Sequence, residues 1–276
     1  MAGITLQNPA NFIYFYIMDN KNLHKPTMRV IEILEAVYHS ENGLTLTDIS
    51  RSTGIFKGTL HPIVNTLLQK EYLESRSQRF HIGRNCFKLG YSYVNTLSYL
   101  NIIKPDMKEI VETCGEICQL GILDGADVLY VEKIDPKQAV RITSSVGSTL
   151  KAYATSLGKC LLSGLSDEAI RQLYPDGLES YTANTVPDLA SLLAQAQQVR
   201  QQGYIYEQGE TNIDIECVGV PIKVNHTVLA AMSVSLPSFR STPEKIEEIT
   251  QLLKEHATKI EHTLSTLPSG LEMFPL

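Results

Sequence analysis

Residues 44–82 constrain the fold of this chain more than any other stretch. They read LTLTDISRSTGIFKGTLHPIVNTLLQKEYLESRSQRFHI. Residues 48–52 predict a short helix that ends at Gly54, because glycine takes positive φ without a steric penalty. A second helix is predicted over 57–69, since its apolar residues recur at the spacing of one buried stripe: Leu60, Ile63, Val64, Leu67 and Leu68.

Helix, glycine turn and helix in this order predict a DNA-binding helix-turn-helix, whose second helix enters the major groove. The outer face of that helix is polar, with Lys57, Gly58, His61, Pro62, Asn65 and Gln69. A strand is predicted over 72–74, a four-residue turn over 75–78 and a second strand over 79–82, with Arg76 and Arg79 at the tip. Such a basic hairpin is typical of a wing that contacts phosphates or a minor groove. The pattern alone also fits an αα-hairpin and a β-ribbon that bind no nucleic acid.

The net charge of −6 over 276 residues argues against nucleic acid only if the charge is evenly spread. Residues 21–90 carry ten Lys and Arg against six Asp and Glu, a net charge of +4. Residues 1–20 contribute −1 through Asp19, which leaves −9 for residues 91–276. A mildly basic first module joined to an acidic second one favours a DNA-binding domain with a second domain that does not bind DNA.

The five cysteines form no CxxC pair, and no histidine cluster completes a zinc site around them. We therefore expect reduced thiols, no metal and no cofactor, as in a cytoplasmic protein. No apolar run approaches the ~20 residues of a membrane span, so no membrane partner is expected. Residues 1–17 are expected to be a dispensable extension, because Met18 opens a more usual start.

Beyond the wing, the pattern mixes helices and strands. A helix is predicted over 28–38, a long one rich in Tyr and Leu over 86–100, and another over 107–114, opened by Pro105. The apolar surface of the 86–100 helix must pack on the second domain or on a second copy. Hairpins without strict βαβ alternation then predict an α+β sheet domain. Its strands are expected at 117–123, 128–134, 140–146, 204–207, 217–224 and 228–236. Its helices are expected at 167–173, at 189–202 and from 243 to about 264, with one more that ends at 162.

Several blocks between residues 28 and 266 occur in the order of a known family. In the first domain they are MRVIEILEAV, LTLTDISRSTGIFKGTLHPIVNTLLQKEYL and RFHIG. In the second they are CQLGILDGADVLYVEKID, VRITSSVG, ATSLGKCLL, QQGYIYEQGE, ECVGVPI and AAMSVSLP. In these blocks the chain resembles the IclR family of bacterial transcriptional regulators.

The resemblance implies an α+β protein with an N-terminal winged helix-turn-helix domain, a linker helix and a C-terminal GAF-like α/β effector domain with an antiparallel sheet. It also implies a homodimer or homotetramer on a palindromic, double-stranded DNA operator. The expected boundaries are 1–27 for a disordered or dispensable extension, 28–84 for the DNA-binding domain, 85–104 for the linker and dimerisation helix, 105–266 for the effector-binding domain and 267–276 for a flexible tail.

The family's recognition helix usually begins K-S-T-[VL]-[HY]-R, where this chain has Lys57-Gly58-Thr59-Leu60-His61-Pro62. Gly58 replaces a serine and Pro62 replaces an arginine, so we expect an operator sequence unlike that of close relatives. Because Pro62 lies near the helix start, we expect it to cost less than the ~3 kcal/mol of an interior proline. The DNA-binding residues implied are Lys57, Gly58, Thr59, His61 and Asn65 on the helix, and Arg76 and Arg79 on the wing.

The family's effector cup implies a second set of residues here: Thr155, Ser156, Leu157, Glu207, Cys217, Ser233 and Ser235. Backbone N–H groups at a helix start favour a carboxylate, and alternate strand positions such as 233 and 235 point to one face. The residues alone also allow surface serines, a core cysteine and a solvated glutamate. Asp214 and Glu216 stand where the family commonly has Gly and Arg, and either disfavour a very acidic ligand or face solvent.

The function that this predicts is a DNA-binding regulator, a repressor of a catabolic operon, whose operator affinity responds to a small carboxylate effector such as a sugar acid. No catalytic residue is expected. Two alternatives remain open: a constitutive DNA binder with a ligand-free scaffold domain, and an enzyme that uses Cys217 as nucleophile with His226 as the nearest base in sequence.

Overall fold

The computed structural model describes residues 23–137 and 145–266. The chain divides into two compact units at the peptide bond between Thr96 and Leu97, and each is described here by itself. The expectations for the extension before residue 23, for most of the strand at 140–146 and for the tail after 266 lie outside the described residues.

The first unit packs three helices against a hairpin. The helices are α1 (Lys25–Tyr38), α2 (Leu46–Thr53) and α3 (Lys57–Gln69), followed by β1 (Leu73–Arg76), β2 (Arg79–Ile82) and α4 (Arg84–Thr96). Apolar side chains from the first three helices, the turn before α3 and β1 form its core, namely Ile33, Val37, Ile49, Ile55, Leu60, Val64, Leu67 and Leu73. The predicted helix-turn-helix is therefore present, with α3 as its second helix.

Local sequence sets the ends of α2. The Thr45 hydroxyl accepts a hydrogen bond from the Asp48 backbone N–H at 3.2 Å, and the Asp48 carboxylate accepts one from the Thr45 N–H at 3.1 Å. This capping box starts the helix, and Gly54 ends it at φ 68°. The Ser50 hydroxyl donates to the Ile55 carbonyl oxygen at 2.8 Å, so the turn that leads into α3 is tied back onto α2.

The wing is longer than predicted, because its turn holds two residues rather than four. Arg76 pairs directly with Arg79, and Ser77 and Gln78 form the turn at φ 50° and 63°. Two left-handed residues match the twist of a two-residue hairpin. Since neither is glycine or asparagine, the sequence lacks the usual signal for such a turn.

The second unit is built on a six-stranded antiparallel sheet in the order β5-β4-β3-β8-β7-β6. The strands are β3 (Ile117–Asp124), β4 (Asp127–Ile134), β5 (Thr149–Lys151), β6 (Ile205–Gln208), β7 (Ile215–Val224) and β8 (Thr227–Pro237). The helices are α5 (Leu100–Cys114), α6 (Ser156–Leu162), α7 (Asp167–Leu173), α8 (Leu189–Gln202) and α9 (Pro243–Ser265), with 3₁₀ turns at Ala152–Ala154 and Ser238–Arg240. The predicted α+β class is confirmed.

Helices cover both faces of this sheet. On one face α5 and α9 bury a cluster that includes Ile103, Met107, Val218, Val234, Leu253 and Ile260. On the other face α6, α7 and α8 bury a second cluster that includes Tyr130, Leu157, Cys160, Ile170, Leu192 and Ile205. Because β6, β7 and β8 carry polar side chains on the face beneath α6, that face holds the candidate effector site.

Several predicted boundaries differ from the structure, and three of them differ by three residues or more. The helix predicted over 86–100 ends at Thr96, and α5 begins at Leu100, with Pro105 inside it rather than opening it. Leu97, Tyr99 and Leu100 are buried in the core of the second unit, so tertiary packing overrides the helical pattern there. At the other end, α1 starts at Lys25, so residues 25–27 are its first turn and not part of an extension. No helix in the described ranges is long and apolar enough to cross a bilayer.

Candidate functional site

Helix α3 presents one apolar and one polar face. Leu60, Val64 and Leu67 are buried in the core of the first unit. The opposite side exposes Lys57, Gly58, His61 and Asn65, with Thr59 partly buried beside them. Asn65 Nδ2 lies 3.2 Å from His61 Nδ1, so these two side chains, one turn apart, form a hydrogen-bonded pair. Five of the predicted contact residues therefore sit together on one accessible helix.

Pro62 is the sixth residue of α3, and the helix continues through it to Gln69. Only the first turn of a helix has N–H groups without an intrahelical partner, so the expectation that Pro62 lies close enough to the start to lower its cost is not supported. The proline ring faces the carbonyl four residues earlier, which belongs to Gly58. The two departures from the family pattern are thus one helical turn apart.

The wing carries its two arginines at the hairpin tip, on paired positions. Arg76 is exposed and forms an ion pair with Glu74. Arg79 is also exposed, but its Nη1 donates a hydrogen bond of 2.9 Å to the Gly43 carbonyl oxygen, which ties the wing to the loop before α2. Both guanidinium groups remain accessible to an anion.

The second candidate site is a row of polar residues across three neighbouring strands. Glu207 on β6 pairs with Cys217 on β7, and Cys217 pairs with Ser235 on β8, so their side chains share a face of the sheet. Ser233 lies two residues before Ser235, on the same face, and is paired with Gln119 on β3. The Cys217 sulfur lies 3.1 Å from Ser235 Oγ, and Ser235 Oγ donates to Gln119 Oε1 at 3.2 Å. Four of the predicted residues are thus brought together.

The remaining three predicted residues cover this row from above, at the start of α6. The Thr155 hydroxyl caps α6 by accepting a hydrogen bond from the Gly158 N–H at 3.0 Å. Ser156 packs against Gly219 of β7. A Cβ added to Gly219 would lie only 3.0 Å from three atoms of Ser156. Leu157 is buried. Glycine at 219 is therefore what lets the start of α6 approach the polar row.

Burial is nearly complete at this site except at Cys217, which is partly buried. Glu207, Ser233 and Ser235 expose 2%, 1% and 2% of their surface. Lys159 of α6 exposes 0% and forms an ion pair with Glu210, whose backbone N–H donates to the Glu207 carboxylate. The other Glu210 oxygen accepts a hydrogen bond of 3.0 Å from the Val186 N–H. Lys159, Glu210 and Glu207 form a buried charged cluster beside the polar row.

Burial raises the pKa of Glu207 from its ordinary 4.5 to about 7, although the Glu210 N–H and the Lys159 ammonium act to lower it. One lysine faces two carboxyl groups here, so a protonated Glu207 leaves the charged cluster neutral. Burial raises the pKa of the Cys217 thiol well above its ordinary value, and the nearby Glu207 raises it further. Cys217 therefore remains a neutral thiol, which can donate a weak hydrogen bond but is a poor nucleophile.

The two acidic departures from the family pattern do not reach this site. Glu216 is next to Cys217 on β7 and so points to the opposite face, where it accepts hydrogen bonds from the Tyr206 and Ser241 hydroxyls. Asp214 is exposed in the loop before β7. The sequence raised two alternatives for these residues, that they disfavour a very acidic ligand or that they face solvent. Neither residue adds negative charge to the polar row, so the first alternative is not supported.

Sequence reasoning missed Gln119, Lys159 and Glu210 as parts of the site. The sequence held a signal for the first two. Each is a polar residue within an apolar segment, and such a residue is expected to be buried together with its apolar neighbours. Gln119 interrupts the apolar run of β3, and Lys159 precedes Cys-Leu-Leu in α6. The pairing of Lys159 with Glu210, 51 residues later, has no local signal.

A separate cluster joins α5 to α9. One side-chain ligand atom from each of Asp106, Glu109 and His256 lies within 4.8 Å of the others, a spacing that could suit a metal ion. However, His256 Nδ1 already lies 2.7 Å from Asp106 Oδ1, and the Lys259 ammonium lies 2.8 Å from the same oxygen. Because Asp106 already has a histidine and a lysine as partners, we interpret this cluster as a contact that holds α5 against α9.

Comparison with known proteins relates both units to one group. Residues 26–77 match the model of the IclR helix-turn-helix domain, and residues 91–262 match that of the bacterial transcriptional regulator IclR C-terminal domain. The second match alone spans more than half of the chain. The chain belongs to the IclR family. It is accordingly a transcriptional regulator with an N-terminal helix-turn-helix and a C-terminal effector-binding domain, and not an enzyme.

Individual relatives of this IclR-family regulator agree along nearly their whole length. The HTH-type transcriptional regulator XynR of Escherichia coli is 30% identical over 86% of this chain and 95% of its own. The acetate operon repressor of Salmonella typhimurium is 26% identical over 84% of this chain and 87% of its own.

Solved structures show the same fold. A transcriptional regulator of Rhodococcus sp. RHA1 superimposes with a TM-score of 0.75 at 26% identity, covering 88% of this chain and 99% of its own. An IclR homologue from Microbacterium hydrocarbonoxydans, solved in complex with 4-hydroxybenzoate, gives a TM-score of 0.75 at 24% identity and covers 86% of this chain and 98% of its own.

Proposed function

We propose that this regulator is a repressor that binds a palindromic operator through α3 and the wing, and that a small carboxylate metabolite bound in the second unit changes its affinity for that operator. The observation that carries the proposal is the exposed polar face of α3 opposite a buried apolar one. Surface helices are commonly amphipathic, but this polar face belongs to the second helix of a helix-turn-helix and is followed by a hairpin with two exposed arginines, which is the arrangement of a winged DNA-binding domain.

The side chains of α3 suit different parts of a DNA duplex. His61 and Asn65 are long enough to reach base edges in the major groove, and their mutual hydrogen bond holds them in one orientation. Lys57 and Thr59, at the start of the helix, suit phosphate oxygens. Gly58 has no side chain, so its role is to let the backbone approach the duplex closely.

The wing arginines suit phosphates rather than bases. Arg76 and Arg79 sit on paired positions at the hairpin tip, and Arg79 is held by Gly43. A side chain that neutralises one phosphate contributes to affinity for every sequence, and its contribution falls as salt rises. The wing therefore sets the strength of binding, whereas α3 sets its sequence preference.

The polar row supports a small hydroxy acid as effector. Ser233, Ser235 and the amide of Gln119 provide hydrogen bonds without charge, and the only described cation beside them, Lys159, is already paired with Glu210. A carboxyl group that titrates near pH 7 can accept a hydrogen bond from a ligand hydroxyl or, once protonated, donate one to a ligand carboxylate. Thr155, Ser156 and Leu157 close the site from above.

Helix α4 supports a homodimer or homotetramer. None of its residues is buried, yet it carries Phe87, Leu89, Tyr91, Tyr93 and Val94. At 100° per residue these fall within an arc of about 200°, and Lys88 and Ser92 lie in the remaining arc. An apolar arc of that width is expected to be covered by a second copy, which also brings two α3 helices to a palindromic site.

Because the proposed partner is chromosomal DNA, the protein is expected in the cytoplasm.

Selection of bound duplexes from a random 40-bp library tests this proposal. Wild-type protein is expected to enrich a palindrome. Its affinity for that palindrome, measured by gel shift, should then change on addition of at least one sugar acid. Gluconate and its neutral parent glucose form one matched pair, and 4-hydroxybenzoate with phenol forms a second.

Two results would contradict the proposal in different places. If no sequence were enriched, the proposed binding to a specific operator would be wrong. If a palindrome were enriched but no acid changed the affinity for it or raised the melting temperature of the protein, the constitutive DNA binder would be favoured. The double variant Ser233→Ala/Ser235→Ala distinguishes the role of the second unit from that of the first. It should abolish the response to the acid while leaving DNA affinity unchanged.

A further inference from the structure

Phe56 is the most exposed large apolar residue in the described ranges, at 85%. It stands between the turn at Gly54 and the first residue of α3, with φ −60° and ψ 139°, which makes it the N-cap of that helix. The turn itself is fixed, since Ile55 is buried and its carbonyl oxygen accepts the Ser50 hydroxyl. The ring is therefore held out into solvent by an ordered backbone.

The N-cap position gives phenylalanine no structural role. Ser, Thr, Asp and Asn are preferred there because their side chains accept hydrogen bonds from the first N–H groups of the helix. Helices α2, α6, α7, α8 and α9 all have such a cap, at Thr45, Thr155, Ser166, Asp188 and Thr242. Helix α3 has none. This chain thus forgoes a stabilising cap at its recognition helix and exposes an aromatic ring in its place.

The surroundings of the ring suit a polyanion with apolar groups. A cleft beside Phe56 is lined by Lys25 and Arg29 from α1 and by Thr59 from α3, with Glu32 as its one acidic residue. Lys57, the next residue after Phe56, is exposed. Two cations therefore line the same cleft as the ring and a third follows it in sequence, as expected where a side chain reaches a groove edge between phosphates.

We propose that Phe56 is a specificity-determining residue, which contacts the 5-methyl group of a thymine at the edge of the major groove. This methyl group is the one apolar group that a base pair presents there, and apolar side chains read it. Lys25 and Arg29 then hold the phosphates that flank this base. The inference rests on the proposed binding of DNA by α3 and adds a residue outside the polar face of that helix.

Replacing a single thymine by deoxyuracil removes only the methyl group, so it tests this contact directly. The duplex enriched by the wild type is resynthesised with deoxyuracil at each thymine of a half-site in turn. At one position, wild-type affinity should fall about three- to five-fold, the effect of one buried methyl group. Phe56→Ala should bind the unmodified duplex more weakly by a similar factor and should show no further loss with deoxyuracil at that position.

Phe56→Ser separates this role from a structural one. Serine restores an N-cap, so the melting temperature should rise, while the discrimination between thymine and deoxyuracil should disappear. Tyr38→Ala, at an exposed aromatic residue at the opposite end of α1 from Lys25, should bind both duplexes as the wild type does.

Several results would overturn the inference. Wild-type affinity that no deoxyuracil alters would do so, as would Phe56 variants that keep the wild-type discrimination. Phe56→Ala that weakens binding equally on the selected and on a random duplex would assign the ring to the sugar backbone instead. Failure of the wild type to enrich any sequence would overturn the proposed function together with this inference, so the two failures are distinguishable.

Discussion

Glu207 shows how one buried residue can link the site to pH. Its carboxyl group is enclosed by β6, β7 and the loop that holds Glu210, with only one lysine for two acids. Burial therefore raises its pKa to about 7, against 4.5 ordinarily. The folded protein therefore holds this proton more tightly than the unfolded chain does. A ligand that contacts the Glu207 carboxyl group is expected to change the pKa of Glu207 again.

The sign of the pH dependence follows from that raised pKa. Below about pH 4.5 both states hold the proton, and as pH rises to about 7 the unfolded chain releases it first. The contribution of Glu207 to stability therefore falls over this window, by up to about 3 kcal/mol. Glu207→Gln should lack this fall, so urea unfolding should show the variant gaining stability relative to the wild type between pH 4.5 and 7.5. Parallel pH curves for the two proteins would contradict the account.

Pro62 is a residue-scale departure with a measurable cost. It lies past the first turn of α3 and lacks the N–H that would bond to the Gly58 carbonyl oxygen. Pro62→Ala should raise the free energy of opening α3 by about 1–3 kcal/mol. Hydrogen exchange over residues 57–69 measures this.

Pro26→Ala in the first turn of α1 is the matched control, because a proline there removes no intrahelical bond. It should leave exchange in α1 nearly unchanged. Equal exchange of α3 in the wild type and in Pro62→Ala would show that the helix has adapted to its proline.

At the scale of elements, the accuracy of the sequence predictions follows from local signals. The helices predicted as 167–173 and 189–202 have those bounds in the structure, because Ser166 and Asp188 cap their starts and Gly203 ends the second in the left-handed region. The break between α4 and α5 has no such signal. It arises because Leu97 and Tyr99 are buried in the second unit, a long-range effect that periodicity cannot report.

Helix α4 carries the element-scale prediction. If its apolar arc is the interface between two copies, Phe87→Glu/Tyr91→Glu should weaken self-association at least tenfold, since it removes two large apolar side chains and adds like charges. Ser92→Glu, on the polar arc of the same helix, is the control and should associate as the wild type does. Sedimentation equilibrium measures both, and equal association of all three proteins would remove α4 from the interface.

For the whole molecule, the sequence was sufficient to predict the order of the domains, the polar face of α3 and the row formed by Glu207, Cys217, Ser233 and Ser235. The polar face of α3 follows from helical periodicity, and the shared face of Ser233 and Ser235 follows from alternation in a strand. The family resemblance supplied Glu207 and Cys217, the names of the domains and the roles of the residues. What it lacked was the proximity of distant segments. The partners Lys159 and Glu210, and the approach of Ser156 to Gly219, depend on how α6 lies across the sheet.

The central claim is that the exposed face of α3 reads a DNA sequence. Anisotropy titration of the selected duplex with His61→Ala/Asn65→Ala tests it most directly, with Gln69→Ala at the far end of the same helix as control. Removing one hydrogen-bonded interaction with a base costs about 1–3 kcal/mol, so the double variant should bind the selected duplex about 30-fold more weakly or worse, while its binding to a random duplex stays unchanged. Wild-type affinity of the double variant for the selected duplex would contradict the claim.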